Sequence, residues 1–338
     1  MATIAERVEA PAHLTPPAPL DGIHFRPATR ADLASIHRVV LAEYAVDAPE
    51  SRPSKDDVDY QFSMRGLDPA LNVVIAHDAS GLVVGYGMVM LRPTQESVVR
   101  VWLVGAVDPE YRSRGIGRRI LAWQLDRSRQ KLARIDLDLP VEVGLNGRLG
   151  SSKLALAARL GMESTRFWFE LERDLADPVE VPRAPESYTV RGYAAADLEP
   201  TRLAKNDAFR DHWGSQPTTA DDWARARDAA AFRPDLSRVV VDAAGDVVAF
   251  TIVEVDPEAF EARGHRFGYI DYVGVVRAHR GRRLAPAVLG SALAAIRSAG
   301  MDAAVLDVDA DSPTGALGLY ERLGFTRGRV DATYVLRY

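Results

Sequence analysis

The sequence contains no cysteine among its 338 residues. This absence excludes disulfide bonds, thiolate nucleophiles and cysteine metal sites, and it fits the reducing cytoplasm. The seven histidines are scattered and include no HExxH pair, so we predict that the protein binds no metal. Long apolar runs are also absent, because no window reaches the roughly 18 uninterrupted apolar residues that a membrane helix needs. We therefore expect a cytoplasmic protein without membrane contact.

Positive charge is neither abundant nor clustered. The formal net charge is -5, and the lysines and arginines are dispersed along the chain. Nucleic-acid binding depends on clustered basic residues that neutralise phosphates, so this composition argues against a nucleic-acid partner. A small cationic substrate suits the charge balance better.

Residues 1–20 differ from the rest of the chain. They contain four prolines but no apolar stretch of the kind found in a signal peptide. We interpret them as a flexible N-terminal arm. The remaining length suffices for two domains of roughly 150 residues, each large enough to bury a core.

An internal repeat divides the chain into two halves. The segment IHFRPATRADL at 23–33 is echoed by YTVRGYAAADL at 188–198, and a hairpin pattern at 73–85 is echoed at 239–249. Two further matches follow in the same order and at nearly constant spacing. The matched pairs include Arg26 with Arg191, Gly81 with Gly245, Arg112 with Arg280, and Ala157 with Tyr320. This order indicates a duplicated domain.

The repeat also indicates domain boundaries and fold. Three prolines interrupt residues 174–187, so we place a linker at 177–187 with a boundary near Pro182. The predicted domains are 21–176 and 188–338. Each half reads as a short strand, helices, a β hairpin, a long apolar strand, a turn, a helix, another strand, another helix and closing strands. This order predicts an α/β fold in which helices flank a mixed, mostly antiparallel sheet.

Two short motifs carry a resemblance to a known family. R-x-x-G-x-G follows a long strand at 112–117, and L-Y-x-x-x-G-F lies on a late helix at 319–325. These motifs resemble those of the GNAT superfamily of acetyl-CoA-dependent N-acetyltransferases. The tandem arrangement, with NDAFRDHWG at 206–214, looks most like the mycothiol-synthase type of tandem GNAT protein. The resemblance implies two tandem GNAT-type acyl-CoA N-acyltransferase domains, acetyl-CoA as co-substrate and a small-molecule amine as acceptor.

The turn after each long strand is the predicted site for the coenzyme A pyrophosphate. Backbone N–H groups at a helix N-terminus form a concavity that favours an anion, and small residues let the phosphate approach. The first-half turn consists of Arg112, Ser113, Arg114, Gly115, Ile116 and Gly117. The second-half turn consists of Arg280, Gly281, Arg282, Arg283, Leu284 and Ala285. Arg283 takes the place of Gly115, and we expect it to fit if the turn requires no positive φ. Alternatively, both turns are only tight corners with solvated arginines.

The resemblance further implies that the strand before each turn pairs through its backbone with the pantetheine arm. Recognition at a strand edge permits such pairing. The residues concerned are Gly105, Ala106 and Val107 in the first half and Val273, Gly274 and Val275 in the second.

Acetyl transfer to an amine needs a group that accepts the amine proton and a group that protonates the departing thiolate. Tyr320 lies at the family's usual acid position, and a phenol is protonated at neutral pH. The alternative is that Tyr320 is a core aromatic on a helical stripe. Asp271, the only carboxylate of the strand at 268–275, is the candidate base, unless it merely pairs with an arginine. Glu254 on the neighbouring strand is assigned to the substrate site and is the reserve candidate for the base.

The first half lacks these reactive groups. Ala157 corresponds to Tyr320, and Val101 and Leu103 occupy the places of Tyr269 and Asp271. We therefore predict that the chemistry takes place in the second half. The first half then binds acetyl-CoA without turnover or only supports its partner.

The acceptor is not readable from the sequence. His212 is assigned to the substrate site, although a helix-end histidine beside a buried Trp213 is the plainer interpretation. Asp309 and Asp311 follow a strand end and could hold a cationic acceptor, while capping of the next helix explains at least one of them. We predict N-acetylation of a primary amine on a small molecule such as an aminosugar, a thiol precursor or a natural product. The alternative is a non-catalytic acyl-CoA sensor or partner-binding module.

Overall fold

A computed structural model of the chain describes residues 2–64, 66–91, 95, 97–312 and 315–338. These residues form two compact units. Unit 1 comprises Met1–Arg166 and Asp331–Tyr338, and unit 2 comprises Phe167–Val330. The units divide between residues 166 and 167, upstream of the linker that the prolines at 177–187 led us to expect.

Unit 1 is a mixed sheet with helices on both faces. Its strands, in hydrogen-bonded order, are β1 (His24–Pro27), β2 (Val73–His77), β3 (Val83–Leu91), β4 (Val99–Val107), β5 (Val141–Arg148) and residues 331–337 of β12 (Thr326–Arg337). β4 and β5 run parallel, and the other neighbours are antiparallel. Its helices are α1 (Ile4–Arg7), α2 (Leu33–Asp47), α3 (Lys55–Phe62), α4 (Pro69–Asn72), α5 (Ile116–Leu132) and α6 (Ser152–Arg159). One core forms beneath α5 and α6, and another beneath α2 and α3.

Unit 2 repeats this plan. Its strands, in hydrogen-bonded order, are residues 167–174 of β6 (Glu163–Asp174), β11 (Ala303–Asp309), β10 (Phe267–Val275), β9 (Val247–Glu254), β8 (Arg238–Val241) and β7 (Thr189–Gly192). β10 and β11 are the parallel pair. Its helices are α7 (Leu198–Ala208), α8 (Ala220–Arg227), α9 (Ala259–Arg263), α10 (Leu284–Ser298) and α11 (Ala316–Arg322). Apolar side chains of α10 and α11 fill one core, and those of α7 and α8 fill another. The predicted α/β class with a mixed, mostly antiparallel sheet is confirmed.

The closing strands differ from the expectation that each half supplies its own. Residues 331–337 at the end of the chain pair with β5 of unit 1, whereas residues 167–174 pair with β11 of unit 2. An alternating pattern indicates that a segment is a strand, but both sheets offer similar edges. The pattern therefore does not identify the partner.

The N-terminal arm packs against unit 1, so the prediction of a flexible arm is wrong. Ile4 is fully buried, and the backbone N–H groups of Ile4 and Ala5 donate to the carbonyls of Leu137 and Ile135. The Gln130 side chain donates to the carbonyl of Pro11. The prolines prevent a long helix here, but a few apolar side chains suffice to bury the segment. In the part of the chain that the structure describes, no helix is long and apolar enough to cross a membrane.

The repeat is visible in individual contacts. Arg26 forms a two-pronged ion pair with Asp32, and its counterpart Arg191 does the same with Asp197. In each unit the arginine lowers the pKa of the nearly buried aspartate by hydrogen bonding. The matched arginines therefore have the same structural role, which is to link β1 to the start of α2 in unit 1 and β7 to the start of α7 in unit 2.

Candidate active site

A cavity of about 1270 Å³ opens in unit 2 where its two parallel strands separate. β10 pairs with β11 only from Phe267 with Ala303 to Tyr269 with Val305. Beyond this point residues of both strands line the cavity, together with the start of α10, one side of α11 and the segment after α7. Parallel strands that separate in this way leave backbone groups of β10 without a strand partner on that side.

The predicted pantetheine strand lies along this cavity. Val273, Gly274 and Val275 pair with β9 on one side of β10 and line the cavity on the other. A Cβ on Gly274 would lie 2.4 Å from the ring of Phe250, so the ring occupies the space that a side chain would need. The site also fits an extended thiol-bearing arm, since the strand edge offers backbone donors and acceptors.

The turn that precedes α10 holds two residues at positive φ. Gly281 has φ 76° and Arg283 has φ 60°, and both line the cavity, as do Arg280, Leu284 and Ala285. We expected Arg283 to fit if the turn required no positive φ. The turn does require one, because it places Arg283 in the left-handed region. A residue other than glycine costs about 1–2 kcal/mol there. The turn nevertheless leads directly into α10, whose first N–H groups are free of intrahelical partners.

The side chains of Arg280 and Arg282 are already engaged by the protein. Arg280 donates to the carbonyl of Ala208 at 2.7 Å and contacts Asp211 at 3.4 Å. Arg282 donates to the hydroxyl of Tyr188. These two guanidinium groups fasten the turn, while Arg283 makes no hydrogen bond or ion pair with any described residue.

The turn of unit 1 also holds two residues at positive φ, but its glycine is the second of the two and not the first. Ser113 has φ 64° and Gly115 has φ 84°, matching Gly281 and Arg283 in turn. Arg112 forms two hydrogen bonds with Asp47, at 2.9 and 2.8 Å, and so repeats the fastening role of Arg280. The remaining predicted residues, Arg114, Ile116 and Gly117, belong to this turn or to the first turn of α5, and Gly105, Ala106 and Val107 end β4.

Tyr320 of α11 is both a core residue and a cavity residue, so the two interpretations of it combine. It is 8% exposed, packs against Phe325 with 5.8 Å between ring centroids, and lines the cavity. Burial raises the pKa of its hydroxyl above the ordinary value of 10.0. No described residue hydrogen-bonds this hydroxyl, so it is protonated and free to donate to a bound molecule.

Asp271 lies at a bulge of β10 and is paired with an arginine. The ladder between β10 and β9 shifts between Ile270 and Tyr272, which leaves Asp271 as the extra residue. Its Oδ2 accepts from Arg227 Nη2 at 2.8 Å, as the plainer interpretation of this residue expected. Burial nevertheless raises the pKa of Asp271, although Arg227 and Lys205 oppose the shift. A carboxylate with a raised pKa is a stronger base than an exposed aspartate.

Arg227 was missed by the sequence analysis. It ends α8, is 4% exposed, and contacts both Asp271 and Glu254, the latter at 3.2 Å. Its guanidinium lies 4.8 Å from the ring of Trp223 and 4.9 Å from that of Phe232. The spacing of Trp223 and Arg227, one helical turn apart, was the available signal.

The two residues assigned to the substrate differ in position. His212 lines the cavity and has its Nδ1 3.0 Å from the carbonyl of Trp213. Its ring lies tilted against those of Phe209 and Trp168, with centroids 5.4 and 5.9 Å away. Glu254 reaches Asp271 through Arg227 and is not among the cavity-lining residues of the described chain.

Unit 1 has no reactive side chain at the equivalent places. Ala157, Val101 and Leu103 are all buried in its apolar core. Nearby, Lys153 of α6 pairs with Glu43 of α2 at 2.8 Å. Unit 1 thus has Ala157 at the position of the Tyr320 phenol and Leu103 at the position of the Asp271 carboxylate.

Comparison with known proteins agrees with this geometry. The model of the acetyltransferase (GNAT) family matches residues 37–148 and 200–325. A mycothiol acetyltransferase of Thermobispora bispora is 31% identical over 88% of this chain and 94% of its own length. The structure of a GCN5-related N-acetyltransferase from Sphaerobacter thermophilus shows 25% identity and a TM-score of 0.72, over 94% of this chain and 97% of that one. A tandem GNAT protein from the clavulanic acid biosynthesis pathway shares the fold, with a TM-score of 0.66, 17% identity, and coverage of 93% and 98%. The chain therefore belongs to the acetyltransferase (GNAT) family, as a tandem GNAT protein and an acetyl-CoA-dependent N-acetyltransferase.

Proposed function

We propose that unit 2 transfers the acetyl group of acetyl-CoA directly to a primary amine of a small molecule. The observation that carries this proposal is that one cavity is lined by the Asp271 carboxylate, the free side of β10, the turn before α10, and Tyr320, whose hydroxyl no described residue hydrogen-bonds. Unit 1 has apolar core residues at the places of both reactive groups.

The proposed reaction assigns one proton transfer to each side chain. The neutral amine attacks the thioester carbonyl, a C–N bond forms, and the C–S bond breaks. Asp271 takes the proton that the amine loses, directly or through a water molecule, and Tyr320 gives its proton to the departing thiolate. Holding both reactants in one cavity supplies much of the acceleration.

The raised pKa values support these roles. Burial keeps Tyr320 protonated at neutral pH, so it can donate. Burial also makes Asp271 a better proton acceptor, and the nearby Arg227 keeps it ionised. Glu254 contacts the same arginine and remains the reserve base.

The acceptor is proposed as a small amine such as an aminosugar, a thiol precursor or a natural product. The names of the curated relatives, which are mycothiol acetyltransferases, support a small-molecule acceptor. The cytoplasmic location remains a proposal that rests on the cysteine-free sequence.

Replacing Tyr320 by phenylalanine tests the proposal. We expect release of coenzyme A with a panel of primary amines to fall roughly tenfold to a thousandfold, the range for a positioned general acid. Tyr86→Phe in unit 1 is the matched control, since Tyr86 is also buried and no described residue hydrogen-bonds its hydroxyl. Equal turnover in both variants would remove Tyr320 from the mechanism. Coenzyme binding without turnover of any amine would favour the acyl-CoA sensor instead.

For unit 1 we propose acetyl-CoA binding without turnover. Its turn repeats the backbone of the unit 2 turn, with Gly115 at φ 84° directly before α5. Gly115→Glu would put a negative side chain in the anion site. Calorimetry should then show one fewer coenzyme molecule bound per chain, while turnover stays unchanged. Loss of turnover in a folded variant would contradict this assignment, and unchanged stoichiometry would indicate that unit 1 binds no coenzyme.

A further inference from the structure

One face of the unit 2 sheet carries a row of carboxylates. Directly opposite residues of paired strands point to the same face, and β11 pairs Asp307 with Glu170 and Asp309 with Trp168. Tyr269 of β10 donates to Asp307 at 2.9 Å and lies opposite Glu254. The carboxylates of this face are Glu170, Glu172, Asp307, Asp309, Asp271 and Glu254.

Buried arginines neutralise most of this row. Arg263 contacts Glu170 at 2.6 Å and Glu172 at 3.0 Å, and Arg329 contacts Glu170 at 3.3 Å and Asp307 at 3.9 Å. Arg227 does the same for Asp271 and Glu254. Every carboxylate of this row except one therefore forms an ion pair with an arginine.

Asp309 is the exception. It is 1% exposed and lines the cavity, yet no lysine, arginine or histidine of the described chain forms an ion pair with it. Its Oδ1 accepts a hydrogen bond from the backbone N–H of Asp311 at 3.0 Å, and no described residue donates to its Oδ2. Asp309 does not cap α11, whose N-cap residue is Gly315, and this turn hydrogen bond engages only one of its two oxygens. A buried carboxylate without a cation is costly, and it faces the space that a substrate enters.

We propose that Asp309 binds a second ammonium group of the acceptor, so that the substrate is a diamine or polyamine. This inference rests on the proposed function, in which the reacting amine meets Asp271. The sheet geometry separates the two carboxylates. Asp271 lies two residues beyond Tyr269, and Asp309 lies four residues beyond Val305, its partner in register. With ordinary strand spacings their Cα atoms are about 8 Å apart or more, so the two carboxylates offer two positions for ammonium groups along the cavity.

The cavity wall near Asp309 suits a charged alkyl chain. Trp168 is not among the cavity-lining residues, but it lies opposite Asp309 on the same face, and its ring is 5.9 Å from that of His212. His212 and Phe209, whose rings are 5.4 Å apart, both line the cavity. Aromatic rings attract ammonium groups through their faces and pack against methylene groups.

Asp309→Asn isolates the charge. Asparagine keeps an Oδ1 that accepts from the N–H of Asp311, so the turn is preserved while the negative charge is lost. Asp311→Asn is the matched control, because Asp311 is an exposed neighbour outside the cavity lining. The probes are 1,5-diaminopentane and n-pentylamine, which differ only in the second amino group.

Calorimetry and steady-state kinetics are measured for the three proteins with both probes. We expect the wild type and Asp311→Asn to bind the diamine at least about tenfold more tightly than the monoamine, the effect of one charged hydrogen bond. In Asp309→Asn this preference should disappear, with the diamine KM raised and the monoamine KM unchanged. Equal affinity of the wild type for both probes would overturn the inference. Equal weakening of both probes in Asp309→Asn would also overturn it, since Asp309 would then hold the reacting amine.

Failure of the proposed function has a different signature. If neither probe is acetylated but Asp309→Asn abolishes calorimetric binding of the diamine alone, the ammonium site stands and the catalytic assignment falls. If both probes are acetylated with equal KM and unaffected by Asp309→Asn, the reaction stands and the ammonium site falls.

Discussion

Replacing Arg227 by methionine would change both the stability of unit 2 and the pH range of its activity. Its Nη2 lies 2.8 Å from Asp271 and 3.2 Å from Glu254. Methionine retains an apolar side chain beside Trp223 and Phe232 but removes the charge. Two carboxylates would then face each other without the cation between them.

The expected magnitude follows from the burial of the three groups. Removing one partner of a buried ion pair costs about 3–5 kcal/mol. The carboxylates of Asp271 and Glu254 are 24% and 29% exposed, so water screens part of the loss and we expect about 2–3 kcal/mol of unfolding free energy. Because the two carboxylates lose the cation that favours their ionised forms, part of this loss appears as a further rise in the pKa of Asp271.

The sign of the pH effect is fixed by the charge of Arg227. Burial raises the pKa of Asp271, and the arginine opposes that rise, so its removal raises the pKa further. A base acts only when ionised. The acid side of the kcat/KM profile should therefore move to higher pH in Arg227→Met. Lys205 and a hydrogen bond with Glu254 still favour the ionised form of Asp271, while its burial opposes it.

Arg263→Met is the matched control. Arg263 is 7% exposed, contacts Glu170 and Glu172, and lies 5.1 Å from the ring of Phe267. The assay measures kcat/KM against pH with one amine, and urea unfolding, for the wild type and both variants. Both variants should lose stability, but only Arg227→Met should shift the profile. Identical profiles in all three proteins would refute the assignment of Asp271 as the base.

Two other predictions concern stability. Gly274→Ala would place a Cβ 2.4 Å from the buried ring of Phe250, and overpacking of this kind costs about 1–3 kcal/mol in urea unfolding, so an unchanged midpoint would contradict the packing described. Asp197→Asn removes an aspartate whose pKa is lowered from 3.8 by Arg191, and because the arginine side chain is 40% exposed the loss at neutral pH is about 1 kcal/mol. A lowered pKa stabilises the fold above the unfolded pKa, and this contribution is lost as the pH falls through the folded value. The stability difference between wild type and Asp197→Asn should therefore shrink below pH 3.8, and a difference independent of pH would count against the ion pair.

Much of the fold was predictable because the chain contains the same pattern twice. Arg26 and Arg191 mark equivalent strands, and both prove to bind an aspartate at the start of the next helix. The motifs on the late helices also placed Ala157 opposite Tyr320, so the sequence alone indicated which half carries the candidate acid. The N-terminal arm was misjudged because four prolines dominate its composition, while two apolar residues, Ile4 and Val8, determine its packing.

The site was only partly predictable. Tyr320 and Asp271 were identified by position within a motif or strand, but their surroundings come from distant segments. Arg227 reaches Asp271 from another helix, and the bulge at Asp271 depends on pairing with β9. The positive φ of Arg283 was also unreadable, since an arginine gives no local sign of a left-handed backbone.

The sequence by itself determined the duplication, the order of the elements and the residue types that can donate or accept protons, because these depend on periodicity and side-chain chemistry. Tertiary structure decided which strands close each sheet, because similar edges accept similar strands. It also decided which carboxylates form an ion pair with an arginine and which, like Asp309, line the cavity without one among the described residues. Charge pairing depends on distances in space, and those distances join residues that lie far apart along the chain.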